Sequence, residues 1–166
     1  MTLAEAAAEA AAFADAGDER SLARLRGDWD EELEAAARSR DFRERAVAFR
    51  AVGQFRFRQK IELLRRGLED ESPACRGSAL LSLELLSRDH PSVINGMRPL
   101  LHKLVDGDGN DAVRRLAVMS LRNGSAQRDT IGILTALAAD EESGSELREA
   151  ASKVAQSLRR KSGPSR

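Results

Sequence analysis

The residues with the most capacity for chemistry are basic and aromatic, and they cluster between Arg50 and Arg66, where Phe55 and Phe57 interleave with Arg56, Arg58 and Lys60. Cations neutralise phosphates and rings stack on bases, so this pattern fits a surface that tracks a nucleic-acid backbone. The same spacing fits two Phe side chains that pin a hairpin turn while the cations stay solvated. Acid–base and metal chemistry have little to work with. His90 and His102 are the only histidines, Cys75 is the only cysteine, and no Cys/His spacing matches a zinc site. Cys75 follows Pro73 near an expected helix N-terminus, where the dipole would favour a thiolate, but it fills the apolar position before Arg76 and is expected to be buried and inert. Gly107-Asp108-Gly109 is acidic and would repel phosphate, so it is expected to be a turn or at most a weak cation site. Trp29, between Asp28 and Asp30, is expected to anchor a helix start by packing on the preceding turn. No catalytic, metal-binding or cofactor-binding residues are assigned.

The elements that position these residues follow from composition. The 166-residue chain carries 27 basic and 27 acidic residues, yet the charges are segregated. Three basic against ten acidic residues through Ala37 give −7, and ten against three from Arg38 to Arg66 give +7. An acidic end is thus followed by a basic belt. The length suits one domain. Abundant Ala, Leu, Glu and Arg with no Tyr predict an all-α fold. Met1 to Ala16 lacks a basic n-region and carries Glu5, Glu9 and Asp15, so it is expected to be a surface helix and not a signal peptide. No apolar run reaches the roughly 18 residues of a membrane span. A cytoplasmic location is expected, and the excess of Arg over Lys is compatible with a GC-rich bacterial genome.

A helix is expected over Leu3 to Ala14, ended by Gly17-Asp18, then a short turn from Ser21 to Arg26 closed by Gly27-Asp28, then a helix capped by Asp28 and Glu31 that reaches about Arg40. The clearest helix pair begins at Asn110. Its first helix carries Val113, Leu116, Ala117, Met119 and Leu121, Arg122 to Ser125 form a turn, and Ile131, Leu134 and Leu137 lead to Asp140. Within the first helix Arg114 precedes Ala117 and Leu121, and the register recurs as Arg45/Ala48/Val52, Arg76/Ala79/Leu83 and Arg148/Ala151/Ala155, with Arg-to-Arg intervals of 31, 38 and 34 residues. Second helices close at Asp70, Asp106 and Asp140. Six residues before each stand Leu64, Leu100 and Leu134, and nine before stand Ile61, Met97 and Ile131, which predicts the apolar stripe. Gly96 and Pro99 are expected to kink one of these helices. A period in the thirties built from helix pairs is the pattern of an α-solenoid.

In these features the chain resembles the HEAT-repeat family, in its short bacterial form with V-R-x-x-A-x-x-x-L in the first helix and Leu-x-x-Leu-x-Asp at the end of the second. The match spans roughly Asp41 to Arg160 and is good at Ala112 to Leu121 with Thr130 to Asp140, and at Ser72 to Leu86 with Arg98 to Asp106. The resemblance implies an armadillo-type, right-handed α-solenoid of about four hairpins in one domain, 1–160. Its expected parts are an N-terminal cap 1–40, repeats 41–71, 72–108 and 109–142, a C-terminal cap helix 143–160 and a disordered tail 161–166. It implies that Arg45, Arg76, Arg114 and Arg148 are structural, pairing with the aspartates between repeats, Asp41, Asp70, Asp106 and Asp140. HEAT-like di-iron hydroxylases repeat His-Glu pairs, which are missing here. HEAT-like alkylpurine DNA glycosylases use an Asp with a Tyr and Trp cluster, of which Asp28-Trp29-Asp30 is a thin echo.

The function expected is therefore a non-enzymatic protein-binding scaffold or adaptor that presents a concave helical surface, with no cofactor. The alternative is a nucleic-acid-binding module that uses the Arg38–Arg66 region. Counting back four and eight residues from each closing Asp places Arg66, Glu62, His102 and Arg98, with Arg65, on one basic binding face, suited to an acidic partner segment or a phosphate backbone. Oligomeric state is not legible in the sequence.

Overall fold

The computed structural model describes residues 1–163. Every regular element among them is helical, and none of the helices is long and apolar enough to cross a membrane. The chain forms two compact units, Met1–Leu86 and Ser87 onward.

The first unit opens with α1 (Leu3–Ala16), held at its start by a capping box in which Thr2 and Glu5 exchange backbone and side-chain hydrogen bonds. Ala6, Ala7 and Ala10 are its buried face, which lets α2 (Glu19–Ala37) and α3 (Phe42–Gln54) approach closely. Helix α2 differs from the expected break at Gly27. Asp18 caps it, and the chain runs through Gly27 and Asp28 without interruption. Leu22, Trp29, Leu33 and Ala37 keep one phase of a 3.6-residue period across the glycine, with Trp29 half-buried. That continuous stripe outweighs the roughly 1 kcal/mol that a helical glycine costs.

Asp41 caps α3 by accepting from the Arg43 N–H. The helix ends in a Schellman motif, with Phe57 N–H donating to Val52 O and Arg56 N–H to Gly53 O. Arg56 occupies the left-handed position at φ 52°, where glycine is usual, and its guanidinium secures the turn by donating to Gly53 O. A single 3-10 turn, Arg58–Lys60, leads into α4 (Ile61–Leu68), and α5 (Pro73–Ser87) follows. At the α3/α5 seam Gly53 faces Ser82. The buried Ser82 hydroxyl accepts from Gly53 N–H at 2.9 Å and lies within hydrogen-bond reach of the Phe49 and Arg50 carbonyls, so it wedges into the hydrogen-bond ladder of α3.

The second unit contains α6 (Ser92–Gly107), α7 (Asp111–Leu121), α8 (Arg128–Ala139) and α9 (Ser145–Ser162). Helix α6 packs on α7, α8 on α9, and α6 also meets α8. It runs through Gly96 and Pro99 as one helix. Its buried stripe is Val93, Ile94, Met97, Leu101, Leu104 and Val105, while Leu100 is only half-buried, one residue out of the expected register. Helix α6 also continues to Gly107, past the expected closing Asp106. Helix α9 likewise continues through Lys161 and Ser162, where a disordered tail is expected, because Lys161 Nζ reaches the carbonyls of Arg122 and Gly124. The rest of that tail, 164–166, lies outside the described residues.

Candidate functional site

Four arginines share one position and one task. Arg45, Arg76, Arg114 and Arg148 are each the fourth residue of a helix, in α3, α5, α7 and α9. Each reaches back to carbonyls at the end of the preceding helix or the turn after it. Arg45 donates to Ser39 O and Arg40 O, Arg76 to Asp70 O and Glu71 O, Arg114 to Val105 O and Arg148 to Ala138 O. Ser39, Arg40, Asp70 and Glu71 lie beyond the helix ends and Val105 and Ala138 in a last turn, so these carbonyls lack an intrahelical acceptor role, and a guanidinium offers five donors in a fixed fork.

The aspartates complete the arrangement. Asp70 and Arg45 form a two-pronged ion pair, Nε to Oδ2 at 2.9 Å and Nη2 to Oδ1 at 3.0 Å. Burial pushes the Asp70 carboxyl upward, but Arg45 and the Ser72 N–H outweigh it and hold the carboxyl below its ordinary range. Asp140 is also held low, first by Ser143 and the Glu142 N–H, with Arg114 and Arg148 adding to the effect. In four turns an aspartate accepts from the N–H two residues on: Asp41 from Arg43, Asp70 from Ser72, Asp108 from Asn110 and Asp140 from Glu142. The turn aspartate of α6 is therefore Asp108, and Asp106 is an exposed residue in the last turn of the helix. The spacing from Asp70 to Arg76 equals that from Asp108 to Arg114, a signal the sequence carries.

Part of the basic belt pairs with the acidic end. Lys60 Nζ sits between Asp30 at 2.6 Å and Glu34 at 2.7 Å and over the Phe57 ring at 4.8 Å. Arg56 meets Asp15 at 3.4 Å. Phe55 and Phe57 are both buried. They are hairpin-turn anchors and offer no exposed ring to a base. Cys75 is buried and its thiol donates to Phe42 O, while burial, reinforced by Asp70, pushes its pKa up. Among the described residues no group of three or more His, Cys, Asp or Glu side chains is placed to hold a metal ion.

The residues of the expected basic face belong to both units. Glu62, Arg65 and Arg66 lie on α4 in the first unit, with Arg65 Nε and Glu62 Oε2 paired at 3.2 Å and Arg66 exposed. Arg98 and His102 lie on α6 in the second unit. Arg98 is only 6 % exposed and is turned inward, so it is not a surface contact. Its Nη1 donates to Thr130 Oγ1 at 2.7 Å, and its Nη2 donates to the Asn95 side chain and reaches Ser125 O and Oγ. The physical reason is the one-residue register difference in α6, which rotates position 98 toward α8. His102 is half-buried with Nε2 2.9 Å from Thr130 Oγ1. Asn95, Ser125 and Thr130 are thus parts of the site that sequence reasoning misses. Thr130 alone gives a hint, as a small polar residue in line with the apolar stripe of α8.

Above this buried network lies an open groove of about 820 Å³ over α6, α7 and α8. Its floor includes Gly132 and Ala136, which stand eight and four residues before Asp140. Its charged lining is Asp106, Arg114, Arg128, Asp129 and Asp140, with His102 at one wall. No atom lies within 4 Å of where a Gly132 Cβ would be, so the floor is open to a backbone laid across it. Compared with known families and curated proteins, the chain matches no protein-family model and no curated sequence.

Proposed function

We propose that the chain is a HEAT-like, right-handed α-solenoid of about four hairpins that works as a non-enzymatic scaffold, presenting the groove over α6 and α8 to a protein partner. The recurring arginine at the fourth helix position, with its turn aspartate, supports the repeat reading. The observation that carries the function is the groove itself. It is open, has a glycine and an alanine on its floor, and mixes both charge signs on its walls. Such a surface suits an extended peptide, whose backbone can lie close where side chains are small and whose charges can be matched on either side. A uniformly basic face, as a phosphate backbone requires, is not what lines it. The buried Phe55 and Phe57 and the paired Lys60 likewise favour protein over nucleic acid as the partner.

The test fills the floor. Gly132→Arg and Ala136→Glu project into open solvent, so neither should lower the melting temperature by more than about 2 °C, and Gly132→Arg should raise it slightly because it replaces an open helical glycine. Partner capture from nuclease-treated host extract should be lost in both variants. Capture that survives both places the partner on another face. Capture that disappears with nuclease treatment of the wild-type protein makes nucleic acid the partner.

A further inference from the structure

Thr130 stands in the first turn of α8 with its side chain buried, and its hydroxyl has two neighbours. One is Arg98 Nη1, which can only donate. The other is His102 Nε2, whose role depends on where the imidazole proton sits. A hydroxyl has one proton to give, and among the described residues Thr130 Oγ1 meets no acceptor except His102 Nε2. Leaving a buried donor without an acceptor is costly, so Nε2 is the bare nitrogen and the ring proton is on Nδ1. A second proton on the ring would fill Nε2. Thr130 would then receive two donors and lose its own acceptor. It would also set an imidazolium beside a buried guanidinium whose partners, Asn95, Ser125 and Thr130, are all neutral.

We propose that the Arg98–Thr130–His102 chain is a proton-sensitive latch, which ties α8 to α6 while the imidazole is neutral and loosens when it becomes charged. The inference stands apart from what the groove binds. Arg98 on α6 and Asp129 on α8 are the charged groups that act on His102, and the groove it borders also carries Asp106 on α6, Arg114 on α7, and Arg128 and Asp140 on and after α8. Carboxylates and guanidiniums as classes titrate outside the range from pH 8 to 5.5, so the imidazole is what changes there. Burial, and then Arg98, push the imidazole pKa below its ordinary value of 6.5, while Asp129 opposes them. With the native pKa lowered, the unfolded chain binds the proton more readily. The latch therefore contributes fully above about pH 6.5 and is lost as pH falls from there through the native pKa. The folded-to-unfolded ratio drops tenfold for each pH unit that separates the two pKa values.

Nuclear magnetic resonance of the full chain, with imidazole nitrogen labelling, reads the latch directly. His102 should show the Nδ1–H tautomer at pH 8 and a pKa below 6.5, and Asp129→Asn should lower that pKa further. A parallel urea series from pH 8 to 5.5 should show wild-type stability falling more than that of His102→Gln, whose amide oxygen can still accept from Thr130 and does not titrate. An Nε2–H tautomer at pH 8, or a His102 pKa at or above 6.5, overturns the proposal even if His102→Gln fails to fold. Equal pH dependence of the two proteins overturns it as well.

Discussion

Substituting alanine at two helical glycines should move stability in opposite directions, and the sign follows from what each new methyl group meets. At Gly53 in α3, an added Cβ would lie 2.6 Å from the Ser82 Cα, 2.7 Å from its Oγ and 2.9 Å from its Cβ. The first of these is backbone, so no side-chain rotation relieves it, and the α3/α5 seam must open toward an ordinary contact of at least 3.4 Å. Forcing a methyl group into a packed seam costs about 1–3 kcal/mol. Opening it also breaks the bond from Gly53 N–H to Ser82 Oγ, which costs a further 1–3 kcal/mol or so in a buried setting. Against this stands about 0.5–1 kcal/mol of gain from replacing a helical glycine. Gly53→Ala should therefore lose roughly 1–5 kcal/mol. At Gly27 in α2 nothing lies within 4 Å of the new Cβ, so only the gain remains. Gly27→Ala should be stabilised by about 0.5–1 kcal/mol. Urea unfolding at a constant m-value measures both. Shifts of the same sign in the two variants would refute the close approach at Ser82, as would a Gly53→Ala change smaller than about 0.5 kcal/mol.

Leu101→Ala should cost about 2–5 kcal/mol through the cavity it leaves, whereas Leu100→Ala, at a half-buried position, should cost distinctly less, and chemical denaturation of the pair checks the register of α6. Asp70→Asn should lower the melting temperature at neutral pH. Because the native Asp70 pKa is depressed, its contribution is present above the ordinary carboxylate pKa of 3.8 and is lost as pH falls from there through the native value. The gap between wild type and Asp70→Asn should accordingly close in melting curves taken below that range.

The helices and most of the core were legible because periodicity reports which face is buried, and the Arg45, Arg76, Arg114 and Arg148 column was legible because one geometric task repeats. What the arginines bond to was not. Carbonyls have no residue identity, so a sequence can suggest Arg–Asp pairs and be silent on backbone acceptors. Gly27 misleads because local propensity is weak beside a stripe that runs from Leu22 to Ala37. Asp106 misleads for the opposite reason: two aspartates and two glycines occur within four residues, and only the turn geometry tells Asp108 from its neighbour. Arg98 was placed outside by a one-residue phase difference, which is about 100° of rotation on a helix.

The backward reach of the four arginines gives the chain a direction. The joints after α2, α4, α6 and α8 are each closed by a residue that lies five to ten positions later, at the start of the next helix. During synthesis, the C-terminal end of one helix stays open to water until the ribosome has released the first turn of its successor. Removing residues from the front of the chain leaves the remaining ends closed, but stopping translation before Arg148 strands the carbonyl of Ala138. A nascent chain of this design completes each joint one helix late.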